Sequence, residues 1–318
     1  MTNPAHPLQL RLDQVTREAD GVISLRFSDP TGAPLPAWQA GAHLELQLPS
    51  GKLRHYSLCG DVSDRFSYRV GVLRDVQGRG GSEEIHTQLR VGQCYRTSLP
   101  RNHFALKPAP RYLFIAGGIG ITPMLPMIDA VAGVAEWHLV YAGRNRQSMA
   151  FTGELARHPW QVRLWADDEH GRLDIAQLLD NCSADTLVYC CGPGGLIDHV
   201  DTACAERGLT FICERFGASQ KPIQPSEQSP NSFEVVLARS NCSVQVGEGQ
   251  SVLAAVREKV PDVPFSCESG FCGACETRVL EGDVEHLDSL LSDAEKASNR
   301  SMMICVSRAR CPRLVLDL

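Results

Sequence analysis

The chain has 318 residues, a length typical of two or three domains. Its hydrophobic content of 43% suits well-packed apolar cores, and its formal net charge of −6 argues against nucleic-acid binding. The N-terminus is polar and lacks an apolar signal core, so we expect a cytoplasmic protein whose 13 cysteines stay reduced.

Residues 8–107 are predicted to form short strands. Polar and apolar residues alternate with a period of two at 43–48 and again at 66–72, and turn-forming sequences separate such segments. The one strong helix signal covers 82–89, with Ser82 as its N-cap. This pattern predicts an antiparallel β-barrel that carries a single helix.

Two motifs in the predicted barrel have the chemistry to hold a phosphorylated ring cofactor. In Arg54-His-Tyr-Ser57, arginine can bind a phosphate through two hydrogen bonds, tyrosine offers a flat apolar face, and serine can reach a ring nitrogen. In Gly78-Arg-Gly-Gly-Ser82, glycines lead into a helix N-terminus that can bind an anion. Each motif alone is weak, because an exposed strand end or an ordinary glycine-rich turn would look the same.

Beyond residue 110, apolar strands alternate with helical segments, a pattern typical of a parallel sheet covered on both faces. Strands are predicted at 112–116, 137–141, 162–166, 186–190 and 209–212. Helices are predicted near 123–134, 148–157, 174–180 and 194–206. Residues 112–128 carry no charge, but their glycines and prolines favour a strand, a turn and a helix over a membrane span. We therefore expect no membrane association.

Two glycine turns in this region can hold a dinucleotide. In Ile115-Ala-Gly-Gly-Ile-Gly-Ile-Thr-Pro-Met124, a strand leads through glycines into a helix. Pro123 replaces the third glycine of the Rossmann fingerprint, and Arg144 stands where an acid is expected, so a Rossmann dehydrogenase is disfavoured. The second turn, Tyr189-Cys-Cys-Gly-Pro-Gly-Gly195, would bring Cys191 to the same crevice at the carboxyl edge of the sheet.

A polar segment separates this region from a third unit. Residues 217–230 contain three prolines and no apolar period, which predicts a linker. The unit that follows is predicted to have a strand at 233–237, a helix at 251–258 and a C-terminal strand at 313–318. These elements surround a loop rich in cysteine.

The cysteine loop has the ligand spacing of a plant-type [2Fe–2S] cluster, because Cys267, Cys272 and Cys275 follow C-x4-C-x2-C and Cys305 comes after a long gap. Small residues at 270, 273 and 274 let backbone N–H groups approach the cluster sulfurs. A structural zinc is the alternative. Zinc sites usually pair two C-x2-C knuckles or include histidine, and only one knuckle is present here.

Taken in order, these motifs resemble those of the phthalate dioxygenase reductase family, which includes vanillate demethylase reductases. The resemblance covers essentially the whole chain and implies a multidomain protein. It implies an antiparallel β-barrel flavin domain at 1–108, an α/β parallel-sheet NAD domain of ferredoxin-reductase type at 109–217, a linker at 218–230, and an α+β plant-type ferredoxin domain at 231–318.

The same resemblance implies FMN, NADH and [2Fe–2S] as cofactors and assigns residues to each. The residues implied for FMN are Arg54, His55, Tyr56, Ser57, Gly71, Val72 and Leu73, with Gly80, Gly81 and Ser82 at its phosphate. Those implied along the nicotinamide nucleotide are Gly118, Gly120, Gly192 and Pro193, while Thr122 and Phe216 are implied to line the flavin or nicotinamide pocket. Ser57, Thr122 and Cys191 are implied as catalytic, and the cluster ligands are Cys267, Cys272, Cys275 and Cys305. For His55, an ordinary packing histidine is the alternative.

The implied function is electron transfer. NADH gives two electrons as a hydride and the cluster accepts one, so a flavin is needed between them. Plant-type clusters have potentials near about −400 mV, so we expect a higher-potential acceptor, such as the Rieske cluster of a separate oxygenase component. Two alternatives are a haem protein as acceptor and a non-enzymatic fusion that only docks partners.

Overall fold

A computed structural model describes residues 8–76, 78, 80–216, 230–265, 268, 270, 273–288, 290–291 and 293–318. The chain divides into two compact units, Met1–Phe216 and Gly217–Leu318. Of the predicted linker at 218–230, only residue 230 is among the described residues. Among the described residues, no helix combines the length and apolar character that crossing a bilayer requires.

The first unit consists of a barrel half and a parallel-sheet half. Its strands are β1 (Leu8–Ala19), β2 (Val22–Ser28), β3 (Ala42–Gln47), β4 (Leu53–Ser57), β5 (Tyr68–Leu73), β6 (Cys94–Thr97), β7 (Arg101–Asn102), β8 (Arg111–Gly117), β9 (Glu136–Gly143), β10 (Val162–Ala166), β11 (Thr186–Gly192) and β12 (Thr210–Arg215). Its helices are α1 (Gly81–Gln88), α2 (Ile121–Val131), α3 (Thr152–Leu155), α4 (Asp167–His170), α5 (Ile175–Leu179) and α6 (Gly194–Arg207).

Strands β1–β7 form the predicted antiparallel barrel. Their order is β4-β3-β6-β1-β2-β5, with β7 paired to β3, and a bridge between Leu58 and Val70 joins the two end strands. The alternation seen in the sequence places one face of each strand inside, where Leu25, Phe27 and Leu44 are buried. The barrel is thus confirmed.

The single barrel helix, predicted over 82–89, spans Gly81–Gln88. Gly80 is the N-cap of α1, in a left-handed conformation with φ 75°, which glycine adopts without strain. The prediction of Ser82 as N-cap was wrong. Its hydroxyl instead lies 3.0 Å from the backbone nitrogen of Asp75 and accepts a hydrogen bond from it, within the preceding loop.

Strands β8–β12 form the predicted parallel sheet, in the order β10-β9-β8-β11-β12. The carboxyl ends of β8 and β11 are adjacent at its centre, where the strand order reverses. The helix predicted at 148–157 is shorter than expected, because Phe151 adopts a left-handed φ of 60° and helical geometry begins only at Thr152. A 3₁₀ turn, Arg146–Ser148, precedes it.

The second unit is an α+β fold around its own core. It contains β13 (Phe233–Leu237), β14 (Cys242–Val246), α7 (Val252–Arg257), β15 (Glu276–Glu281), β16 (Val284–Glu285), α8 (Asp293–Ser298), β17 (Ser301–Met303), β18 (Arg308–Ala309) and β19 (Arg313–Leu316). Five strands form a sheet ordered β14-β13-β19-β15-β17. Ser251 caps α7 by accepting a hydrogen bond of 3.1 Å from the backbone of Ala254.

Candidate functional site

The first part of the site is a gap between β4 and β5. The bridge from Leu58 to Val70 is isolated, so strand pairing does not continue beyond it among the described residues. In antiparallel register, Ser57 and Tyr56 then lie opposite Gly71 and Val72 across unpaired strand edges. Unpaired edges offer backbone hydrogen-bonding groups to a ligand. The predicted FMN residues of both strands therefore border one gap.

At one end of this gap, Arg54 lies across the start of α1. A Cβ added to Gly81 would overlap Nε of Arg54 and lie 2.9 Å from its Cγ, so only glycine permits this approach. Lys52, which the sequence reasoning missed, brings a second cation 3.5 Å from the Cβ position of Gly80. Two cations beside a helix N-terminus fit the phosphate of FMN.

A buried carboxylate organises the turn next to these cations. Glu84 is 5% exposed and accepts hydrogen bonds from the backbone nitrogen and hydroxyl of Ser50, at 2.7 and 2.6 Å. Lys52 lies 3.8 Å from the same carboxylate. The 49–52 turn is thereby fixed against α1, and Lys52 with it.

His55 and Tyr56 lie on opposite faces of β4, as alternation along a strand requires. Tyr56 packs against the barrel core, and burial raises the pKa of its hydroxyl. His55 instead places its Nε2 atom 2.9 Å from the carboxylate of Glu45, with its ring 5.0 Å from that of His43. These contacts favour a packing role for His55. His86 reaches the gap from α1, with Nε2 3.0 Å from the carbonyl oxygen of Val72.

Ser57 connects the barrel to the parallel sheet. Its buried hydroxyl donates a hydrogen bond of 3.4 Å to Glu214, at the end of β12. Glu214 as a whole is partly buried, and burial of its carboxyl group raises its pKa to about 8, opposed in part by the bond from Ser57. The carboxyl group is therefore largely protonated at pH 7. Glu214 was missed because the Glu214-Arg-Phe-Gly217 segment was considered only for Phe216.

Cys191 lies next to Glu214 in the sheet register and is fully buried. Burial raises the pKa of its thiol well above the usual value, and the neighbouring Glu214 raises it further. The thiol is therefore neutral, and a thiolate nucleophile at this position is not supported. Cys191 instead contributes a neutral, buried side chain beside Glu214.

The two glycine turns after β8 and β11 come together as predicted. A Cβ on Gly117 would lie 2.7 Å from Cδ of Pro193, and one on Gly120 would overlap the carbonyl oxygen of Cys191. Gly118 has a left-handed φ of 55°, and its Cβ position faces open space, with nothing within 4 Å. The crevice thus has close-packed walls and an open mouth, which suits a dinucleotide.

An unpaired donor lies beside the second turn. Arg215 donates to Asp198 at 2.6 Å through Nη2, while its buried Nη1 has no hydrogen-bond partner among the described residues. Nη1 lies 3.6 Å from the Cβ position of Gly194, the first residue of α6. A phosphate of a bound dinucleotide would satisfy this donor. Phe216 follows directly and is 39% exposed.

Thr122 lies where the sheet meets the barrel. Its hydroxyl donates to the carbonyl of Ile119 at 2.9 Å, and its methyl group lies 2.7 Å from the Cβ position of Gly71. Nearby, Arg69 of β5 forms two hydrogen bonds to Glu154, at 2.6 and 2.8 Å. This pair, which sequence reasoning missed, ties the barrel to the sheet.

In the second unit, the described part of the predicted cluster site is buried and apolar. Cys275 and Cys305 are 4% and 7% exposed within one apolar core, while Cys267 and Cys272 lie outside the described residues. Gly270 has φ 73°, and a Cβ there would lie 2.6 Å from the side chain of Val306, so Gly270 packs against the segment after Cys305. Two buried thiols and this closely packed glycine fit a thiolate-bound cluster.

Comparison with known proteins identifies two domain families and a full-length relative. Residues 114–202 match the oxidoreductase NAD-binding domain, and residues 235–310 match the 2Fe-2S iron-sulfur cluster binding domain. Phthalate dioxygenase reductase of Burkholderia cepacia is 38% identical over 100% of both chains.

Two solved structures extend the comparison. The structure entitled phthalate dioxygenase reductase, a modular structure for electron transfer from pyridine nucleotides to [2Fe-2S], superposes with a TM-score of 0.70 at 37% identity over 98% of both chains. An intact type IV self-sufficient cytochrome P450 monooxygenase superposes with a TM-score of 0.89 at 40% identity. That match covers all of this chain but 42% of the longer protein.

Proposed function

The chain belongs to the phthalate dioxygenase reductase family, and we propose that it is the NADH-dependent reductase component of a multicomponent oxygenase. It is an oxidoreductase with an NAD-binding domain and a [2Fe–2S] domain. FMN, when bound, accepts the electron pair of NADH and supplies single electrons to the cluster. The proposed acceptor is the Rieske-type cluster of a separate oxygenase, and the proposed location is the cytoplasm, where NADH and reduced thiols are available.

The proposal divides the chain as the sequence does, into 1–108 for FMN, 109–217 for NADH, the linker 218–230 and 231–318 for the cluster. The matched NAD-binding and iron–sulfur domains fall inside the second and last of these ranges. Within the last range, Cys267, Cys272, Cys275 and Cys305 are the proposed ligands.

We assign the FMN phosphate to Arg54 and Lys52 at the start of α1. Gly80 and Gly81 permit this because neither carries a side chain between the cations and the helix N-terminus. Ser82 can contribute its backbone nitrogen, since its hydroxyl already accepts a bond from Asp75. The unpaired edges of β4 and β5 then border the flavin ring.

Ser57, Glu214 and Cys191 lie in the part of the site where we place the redox chemistry. Since the pKa of Glu214 is raised to about 8, its carboxyl group is largely protonated at pH 7 and adds little negative charge beside Ser57. Ser57 holds this carboxyl group in place through its hydroxyl. The buried Cys191 and Thr122 exclude water from the same region.

The two glycine turns hold the nicotinamide nucleotide in this proposal. Gly118 leaves open space for it, while Gly120, Gly192 and Pro193 pack the turns together. Arg215 offers its unpaired Nη1 to a phosphate. One observation carries the proposal. The gap between β4 and β5 meets the nucleotide crevice within one unit, where Ser57 is hydrogen-bonded to Glu214.

A haem protein is the second candidate acceptor. It is favoured by the superposition with the self-sufficient cytochrome P450 monooxygenase, since this chain corresponds to 42% of that longer protein. The two acceptors can be separated by adding NADH to the FMN-loaded protein together with either a Rieske oxygenase or a P450. NADH consumption and product formation stimulated only by the Rieske oxygenase support the first proposal. Stimulation only by the P450 would replace it with the second.

A further inference from the structure

A groove lies on the parallel sheet at the amino ends of its strands, at the opposite edge from the glycine turns. Its main cavity has a volume of about 500 Å³, and a second cavity of about 360 Å³ adjoins it. The two share Arg163, Leu178 and Asn181, so they form one continuous groove. We call it the amino-edge groove.

The groove exists because the covering helix is short. Helix α5 has five residues and is therefore only about 7.5 Å long, too short to cover the amino half of this sheet face. Leu113 and Val140 are buried beneath the groove and Leu178 flanks it, so its floor is apolar. The opposite face of the sheet is packed against α2.

One cation in the groove is available to a ligand. Arg163 is exposed, lies 4.4 Å from the centre of the Trp165 ring, and has no carboxylate partner among the described residues. Arg111 also lines the main cavity, but it is paired with Glu136 at 2.9 Å and with Asp185 at 2.8 Å. Arg163 is therefore the group that can take up an anion.

The remaining lining residues orient such an anion. Asp174 lines the second cavity and accepts a hydrogen bond from the backbone of Gln177. In the main cavity the carboxylate of Glu136 is paired with Arg111, so an anionic group is better placed there than beside Asp174. Trp160 stands at the rim of that cavity and is 89% exposed, which is unusual for so large an apolar ring.

We propose that the amino-edge groove binds a flat aromatic carboxylate. The carboxylate forms a bidentate pair with Arg163, and the ring lies between Trp160 and the apolar floor. The volume falls within the range of about 300–1,000 Å³ found for small-molecule pockets. From His138 in the groove to Gly143 at the other edge, β9 spans about 16 Å, so this site is separate from the nucleotide crevice.

The test uses the full-length, FMN-loaded protein and two probes, 2-naphthoate and its neutral amide, measured by titration calorimetry. We expect one saturable site for naphthoate that is unaffected by excess NAD⁺. Arg163→Gln should weaken naphthoate binding about tenfold, as expected for a charged hydrogen bond, and leave the amide unchanged. Trp160→Ala should weaken both probes. Arg172→Gln, which removes an exposed arginine outside both cavities, is the matched control and should change neither.

Three results would overturn the inference. These are the absence of saturable naphthoate binding, an unchanged affinity in Arg163→Gln, and competition between naphthoate and NAD⁺. Because Trp160 and Arg163 are exposed, their variants should retain the wild-type melting temperature and FMN content, which makes a loss of binding attributable to the groove.

Discussion

Replacement of Gly81 by alanine tests the proposed phosphate site directly. The new Cβ would overlap Nε of Arg54 and lie 2.9 Å from Cγ and 3.0 Å from Cδ, where carbon atoms ordinarily stay about 3.5–4.0 Å apart. The guanidinium must therefore move by roughly 1 Å, which is enough to break a hydrogen bond. Loss of one charged hydrogen bond costs about 1.5–3 kcal/mol, so FMN should bind about ten- to a hundredfold more weakly.

The same substitution should not harm the helix. Gly81 lies in α1, where alanine is favoured over glycine by about 0.5–1 kcal/mol, so the apoprotein should melt at the wild-type temperature or slightly above. FMN affinity is measured by quenching of flavin fluorescence, and stability by thermal melts of the apoprotein. Gly153→Ala is the control, because a Cβ there meets nothing within 4 Å. Wild-type FMN affinity in folded Gly81→Ala would refute the assignment of Arg54 to the phosphate.

Three further predictions concern charge, the interface and the cluster. With its folded pKa raised to about 8, Glu214 should make the unfolding free energy fall as pH rises from about 4.5 to about 8, and Glu214→Gln should flatten that slope. A pH profile from denaturant melts that is identical in both proteins would contradict this. Replacing Arg69 and Glu154 by glutamine, singly and together, should reveal a coupling free energy of about 1 kcal/mol in denaturant melts. Strictly additive changes in the unfolding free energy would show that the pair does not stabilise the contact between barrel and sheet. Cys272→Ser should abolish transfer to the acceptor while flavin reduction by NADH persists, whereas loss of flavin reduction in a folded variant would reverse the proposed order of carriers.

Local patterns in the sequence predicted much of the fold. Period-two alternation identified the barrel strands, and the change to strand–helix alternation identified the parallel sheet. Two local details were wrong. Serine is a common N-cap residue, but the N-cap position of α1 has a positive φ, which Gly80 adopts without strain. The length of helix α3 was overestimated, because helix propensity does not reveal that Phe151 adopts a left-handed conformation.

The residues missed in the site are those whose partners are distant in sequence. Ser57 and Glu214 are 157 positions apart, and Arg69 and Glu154 are 85 apart. No spacing rule connects such pairs, because only the packing of barrel against sheet brings them together. The raised pKa of Glu214 likewise arises from burial that its neighbours in sequence do not reveal. The glycine turns were easier to predict from the sequence, since their conformational demands are local.

The most direct test of the account is an anaerobic titration of the purified protein with NADH, followed by low-temperature electron paramagnetic resonance. The account predicts that NADH produces the signal of a reduced [2Fe–2S] cluster when FMN is bound and none when FMN has been removed. Protein with full iron and sulfide content that shows no signal with FMN, or an equal signal without it, would contradict the account.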